Sequence, residues 1–316
     1  MIVLGPIPSR RLGRSLGMNN IPPKICSYSC VYCQVGLTDS LSIQRKEFYP
    51  TEEIVAEVFE RVNQLKYSGE KIDYISFVPD GEPTLDINLG KVIQLIKPLG
   101  IKIAVITNSS LLWDKEVRED LQLADWVSVK IDTVDERVWY KINRPYGKLN
   151  LQKILTGIKT FRLSFNGTFV TETMLVKGLN DSEESLTNTA DFIGKLNPNK
   201  AYILIPTRPP AEKFVEAPDE ENLNMAFQLI NSSMNNVELL TDSSDVDFTY
   251  SSDVEKELLS ILAVHPMRKD AVEIFLNKAK TDWTLINTLV NKNILMEVEY
   301  SGSKFLIRNL KTKTNA

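Results

Sequence analysis

The chain has 316 residues, 43% hydrophobic and 25% charged, with a net charge of −4. That is an ordinary globular balance, and the length suffices for one large domain and a small one. No early apolar stretch reads as a signal peptide and no apolar run reaches bilayer length, so the sequence predicts a cytoplasmic protein with no membrane partner.

From His265 onward there are 9 Lys and Arg against 5 Asp and Glu, while the remainder has 28 against 36. The large part is acidic, which argues against broad nonspecific nucleic-acid binding there; the tail is mildly basic.

In chain order, a first strand is expected around Ser15–Asn20, and then all three cysteines fall in Cys26-Ser-Tyr-Ser-Cys30-Val-Tyr-Cys33. After Pro50-Thr51-Glu52-Glu53, the apolar residues Val55, Val58, Phe59 and Val62 recur at helical spacing. Strand-like runs follow at 72–78, 101–107, 126–132, 168–176 and 201–205. Leu151, Ile154, Leu155 and Ile158 mark a helix, and segments 88–98, 183–196 and 219–233 read as further helices. Strand alternating with helix implies parallel strands joined by crossovers, and six such units suit an α/β partial (β/α)6 barrel. The cysteines, Asp80-Gly81-Glu82-Pro83, Asn108, Asp132 and Pro206 all fall near strand ends, which in parallel barrels share one face.

Three cysteines at C-x3-C-x2-C point to a metal or to redox chemistry in a compartment where disulfides are rare. A closed zinc site needs four ligands, but there is no fourth cysteine and the single His265 is remote. Three buried, unligated thiols are the plain alternative, poorly served by a polar loop flanked by glycine. A [4Fe–4S] cluster with three thiolates and one open iron is the reading that remains.

With Tyr32 before its last cysteine, the motif resembles the signature of the radical S-adenosylmethionine (SAM) superfamily, over roughly residues 1–235. The resemblance implies that Cys26, Cys30 and Cys33 hold a [4Fe–4S] cluster, that SAM binds its open iron, and that reductive cleavage of SAM yields a 5′-deoxyadenosyl radical. It also implies an electron donor of flavodoxin or ferredoxin type. Gly81, Glu82 and Pro83 resemble the superfamily's Gly-Gly-Glu-Pro turn on the SAM amino group, with Asp80 in place of the first glycine. Asn108, Ser109, Lys130, Asp132, Thr171 and Glu172 occupy strand positions where the superfamily places SAM contacts. Lys130 and Asp132 have the plain alternative of an ordinary ion pair.

The segments 5–17 and 21–24, Asn143-Arg144-Pro145 and Pro206-Thr-Arg208-Pro-Pro resemble a bacterial and archaeal group related to the wyosine-forming enzymes, which modify a guanosine of tRNA. Those enzymes carry further N-terminal cysteines for a second cluster, and residues 1–25 have none here. Arg10, Arg11, Arg14, Arg144 and Arg208 are candidates for an anionic substrate site, since guanidinium forks suit phosphate or carboxylate.

Residues 236–252 read as a linker. Residues 253–316 read as three short helices followed by a hairpin around Ser301-Gly302-Ser303, an order resembling a winged helix. The segment 281–290 has no Arg or Lys, so the expected contact surface is the wing: Lys304, Arg308, Lys311 and Lys313. The leading expectation is a radical SAM enzyme whose tail recruits a macromolecular substrate, RNA or protein. The alternatives are an activator of a protein or peptide, such as a glycyl-radical activator, and a non-enzymatic iron–sulfur regulator.

Overall fold

The structure is a computed structural model that describes residues 2–78, 80–241, 253–264, 266–300 and 302–309. The chain opens with strands β1 (Val3–Ser9) and β2 (Gly13–Met18), then the short pair β3 (Ile25–Cys26) and β4 (Ser40–Leu41) that brackets the cysteines. Helix α1 (Thr51–Tyr67) leads to β5 (Tyr74–Phe77), α2 (Leu89–Ile96) to β6 (Lys102–Thr107), and α3 (Lys115–Leu121) to β7 (Trp126–Lys130). Helices α4 (Glu136–Ile142) and α5 (Leu151–Ser164) precede β8 (Thr168–Met174). Then come α6 (Glu183–Leu196), β9 (Lys200–Leu204), α7 (Glu220–Ser233) and β10 (Val237–Leu240).

Apart from β3 and β4, which pair only with each other, these strands form one sheet in the order β1-β2-β5-β6-β7-β8-β9-β10. Only the β1–β2 pairing is antiparallel; every pairing from β2 to β10 is parallel. The six expected strand–helix units are present as a partial barrel, and β10 adds a further parallel strand. The expected linker therefore begins with a paired strand; its residues 242–252 lie outside the described residues.

Local sequence explains the helices. Ile54, Val58, Val62 and Leu65 place one buried stripe of α1 on the sheet, with Glu52 and Glu53 in its first turn where the helix dipole favours acids. Asn150 and Ser182 cap α5 and α6 through their side chains. The strands sort by alternation. Ile103, Val105, Val127, Val129, Phe169 and Ile203 pack into the main core with the helices. Ala104, Trp126, Val170 and Tyr202 form a separate cluster on the opposite face with Leu12 and Leu240.

The tail comprises α8 (Val254–Val264), β11 (Met267–Arg268), α9 (Lys269–Lys278), α10 (Trp283–Asn291), β12 (Leu295–Tyr300) and β13 (Ser303–Arg308). Its three strands form a sheet in the order β11-β13-β12 around a core that includes Leu258, Phe275, Leu289 and Leu306. No helix among the described residues is long and apolar enough to cross a membrane.

Candidate active site

The cysteine loop is tied down on two sides. Toward the end of α4, the Ser29 and Val31 amides donate to the carbonyls of Asn143 (3.0 Å) and Ile142 (2.9 Å), and the Tyr146 amide donates to Ser27 (2.9 Å). Toward the turn after β5, the Lys24 amide donates to the Asp80 carbonyl at 2.8 Å and the Glu82 amide to Ile25 at 3.2 Å. The three thiols are free and half-buried. Burial pushes the Cys30 thiol up to about 12, with the Asp132 carboxylate adding to the effect. Burial also raises Cys26, reinforced by Glu82, and raises Cys33.

The Asp-Gly-Glu-Pro turn braces this loop. A Cβ on Gly81 would lie 2.0 Å from the Ile25 carbonyl oxygen and 2.8 Å from Ile21 Cδ1, so only glycine permits the approach. The buried Glu82 carboxylate accepts from the Thr84 amide (3.1 Å) and hydroxyl (2.6 Å), the Thr107 hydroxyl (2.6 Å) and the Asn108 amide (2.7 Å). Burial raises its pKa, against those hydrogen bonds. Glu82 thus joins the ends of β5 and β6 besides being a candidate ligand group. Pro83 opens a buried 3-10 turn at 83–85, and its carbonyl accepts from Asn20 at 3.1 Å. Asp80 is 3% exposed, and burial pushes it up to about 7; its Oδ2 accepts from Asn19 at 3.3 Å, while its Oδ1 has no partner.

Asn108 reaches from the end of β6 to Cys26 Sγ (3.4 Å) and Ser27 Oγ (2.9 Å). Ser109 sits beside it at φ 70°, buried, its hydroxyl without a partner. Lys130 and Asp132 are not an ion pair. The Lys130 ammonium lies 5.0 Å from the Tyr32 ring centroid. Asp132 is buried, accepting from the Tyr32 hydroxyl, from Asn143 Nδ2 (2.7 Å) and from the Met174 amide (2.9 Å). On β8 the expected pair divides. Glu172 is paired with Arg11 and accepts from Ser128 Oγ at 2.7 Å. Burial opposes its charge, but Arg11, Lys130 and Ser128 outweigh it and hold its carboxyl below the usual range. The adjacent Thr171 points to the other side of the strand, fully buried, away from Glu172.

A cavity of about 370 Å3 opens at the C-terminal ends of the parallel strands and takes in Tyr32, Cys33, Lys130 and Glu172. Its other wall is the β1–β2 connection, with Arg10 and Arg11, and the segment after β9, with Arg208. Four cations thus face one carboxylate. Arg14 and Arg144 are not among the lining residues; Arg14 pairs with Glu70 and Arg144 with Glu212, so the structure divides the five expected arginines three and two.

The tail reaches this wall. Tyr300 donates to the Pro206 carbonyl at 3.0 Å, and the cavity residue Ile7 packs on the tail's core. Glu257, buried, accepts from the Gly5 amide at 3.0 Å and pairs with Arg61 at 3.2 Å. Of the expected wing residues, Lys304 lies 2.9 Å from Glu297, and Arg308 donates to the Leu259 carbonyl at 3.3 Å. Lys311 and Lys313 lie outside the described residues, as does His265.

The donor set fits an iron–sulfur cluster and a SAM molecule. Three free thiols share one loop, Gly81 lets the turn after β5 pack directly on that loop, and two buried polar atoms at the neighbouring strand ends, Asp80 Oδ1 and Ser109 Oγ, are unsatisfied. Sequence reasoning missed Asn143 and Asn180 as site residues. Asn180 Nδ2 donates to the carbonyls of Asp132 and Met174, both at 2.8 Å. For Asn143 the one available signal was its place in the Asn-Arg-Pro run.

Comparison with known proteins gives a family. The model of the radical SAM superfamily matches residues 20–192. The "UPF0026 protein MJ1312" of Methanocaldococcus jannaschii is 46% identical over 314 residues, 99% of this chain and 97% of that protein. A "GTPase Obg" of Brachyspira hyodysenteriae is 30% identical over 292 residues, 92% of this chain but 42% of that protein. Among solved structures, a radical SAM methyltransferase from Sphaerobacter thermophilus superposes with a TM-score of 0.51 at 15% identity, over 72% of this chain and 66% of that one, a likeness of fold alone.

Proposed function

The chain belongs to the radical SAM superfamily and is an enzyme using that family's [4Fe–4S] cluster and SAM; from that premise we propose that Cys26, Cys30 and Cys33 ligate the cluster and that the enzyme modifies an anionic substrate, with RNA as the class its cavity favours. When bound, the cluster and SAM supply reductive cleavage to methionine and a 5′-deoxyadenosyl radical. The observation that carries the substrate reading is the cavity running from Cys33 past Lys130 to Arg10, Arg11 and Arg208.

The chain's own residues supply binding, orientation and exclusion of water. Gly81 lets the turn after β5 approach the cysteine loop, and Glu82 fixes that turn to β6. Asp80 Oδ1 and Ser109 Oγ offer polar atoms to SAM. Glu172 holds Arg11 in the cavity wall, and the planar guanidinium groups suit phosphate oxygens. The tail, through Tyr300 and Glu257, steadies the β1–β2 wall and the segment after β9. An electron donor of flavodoxin or ferredoxin type completes the reaction.

The test is anaerobic reconstitution, reduction with dithionite, and measurement of 5′-deoxyadenosine with and without added RNA or added protein fractions from the source cells. Wild type is expected to form 5′-deoxyadenosine slowly alone and faster with RNA. A variant with Arg10→Ala and Arg208→Ala is expected to keep the slow rate and lose the stimulation. No 5′-deoxyadenosine at full iron content overturns the reaction assignment; stimulation by protein alone overturns the RNA reading in favour of a protein or peptide substrate.

A further inference from the structure

Asp132 is a buried carboxylate whose hydrogen bonds all go to the chain's own groups. Its Oδ1 accepts from the Met174 amide at 2.9 Å, and its Oδ2 from the Tyr32 hydroxyl and from Asn143 Nδ2 at 2.7 Å. It is 5% exposed; it does not line the large cavity but lines a small one with Asn108, Lys130 and Asn143. Asn143 Nδ2 also lies 3.4 Å from Cys30 Sγ. The same nitrogen lies 3.4 Å from the Tyr32 hydroxyl, so its two hydrogens link the carboxylate to the cysteine loop at Cys30 and Tyr32, and the Asn143 backbone carbonyl accepts from the Ser29 amide beside Cys30. This is the arrangement of an outer shell: a carboxylate orients a donor, and the donor acts on the metal's ligand.

We propose that Asp132 and Asn143 are positioning residues that set the reduction potential of the cluster through Cys30. The proposal rests on the assignment of Cys30 as a ligand. In a one-electron reduction no bond forms or breaks; the cluster gains one negative charge. A fixed anion nearby opposes that gain, so Asp132 lowers the potential. An N–H directed at the sulfur favours the electron-rich state, so Asn143 raises it. The two effects have opposite signs, which a role in folding alone does not produce. The Tyr32 hydroxyl, bound to the same Asp132 oxygen, places the carboxylate between the cluster loop and β7.

The experiment is a dithionite titration of reconstituted protein, followed by electron paramagnetic resonance, with iron counted on each sample. Asp132→Asn is expected to raise the midpoint by at least a tenfold change in the reduced-to-oxidised ratio at fixed potential, 59 mV for one electron. Asn143→Leu is expected to lower it. The iron count separates this proposal from its premise: wild type or Cys30→Ser with unexpected iron content bears on the ligand assignment, and a midpoint at full iron bears on Asp132 and Asn143. An unchanged midpoint in Asp132→Asn at full iron overturns the proposal, as does a rise in both variants. If Asp132→Asn holds no iron, Asn143→Leu decides: a fall supports the proposal, and a rise or no shift overturns it. Loss of iron in both variants assigns the pair to folding of the loop and overturns the electrostatic role.

Discussion

Replacing Gly81 by alanine tests whether the turn after β5 must touch the cysteine loop. The new Cβ would lie 2.0 Å from the Ile25 carbonyl oxygen and 3.0 Å from its carbon, both backbone atoms. An ordinary carbon–oxygen contact is about 3.3 Å, so turn and strand must separate by about 1.3 Å. That movement breaks the 3.2 Å bond from the Glu82 amide to the same oxygen. Overpacking of this kind costs about 1–3 kcal/mol, and the lost hydrogen bond about 1 more. For a chain of this size the total corresponds to a fall in melting temperature of about 3–6 °C. The assay is thermal unfolding of iron-free protein by circular dichroism, together with iron content after reconstitution. Gly147→Ala is the control, since a Cβ there meets nothing within 4 Å. A Gly81→Ala protein that melts within about 1 °C of wild type and takes up the same iron would refute the account of the turn as packed directly on the cysteine loop.

Replacing any one of Cys26, Cys30 or Cys33 by alanine is expected to take iron from about four atoms per chain to near none, read by iron assay and visible absorbance. Asp80→Asn tests linkage. The folded carboxyl titrates near 7 while an unfolded one titrates near 3.8, so wild type loses stability as pH rises between those values and does not regain it above. The advantage of Asp80→Asn in iron-free protein is expected to grow from pH 5 to pH 8, toward an order of 3–4 kcal/mol; an advantage that stays constant or shrinks counts against the buried charge. Glu257→Gln breaks the buried pair with Arg61 and is expected to cost about 3 kcal/mol, with faster proteolysis of the tail; unchanged melting and digestion would detach the tail from the barrel's stability.

The parallel strands were legible because each is a short buried run ended by special residues. β1 was not, because Gly5, Pro6 and Pro8 read against a strand; prolines are tolerated where the strand lies at the sheet's edge. β10 has four residues and α3 only two buried side chains, too few to show a period. In the site, the cysteines and the glycine turn were legible because their spacing is local. Thr171 and Glu172 show what periodicity leaves out: alternation says that neighbours point apart, but which one meets the cavity depends on which face the helices cover. Asp132 shows the same limit over distance, since its partner Tyr32 is one hundred residues away in the chain.

In the tail the elements were legible and the role was not. Its helices and hairpin fall where the sequence predicts them, and its charge is positive. A net charge, however, counts cations without saying what they face. Here Lys269 and Lys304 both pair with Glu297, and Arg308 is bonded to the Leu259 carbonyl. Surface pairs of this kind add little stability, yet they lower the attraction that the lysines exert on phosphate. The tail residues with long-range bonds, Glu257 and Tyr300, point to the barrel. The cations that border a space large enough for a ligand are Arg10, Arg11, Lys130 and Arg208. Salt dependence of substrate binding should therefore respond more to substitution of Arg10 and Arg208 than to that of Lys304, and a larger response at Lys304 would return recognition to the tail.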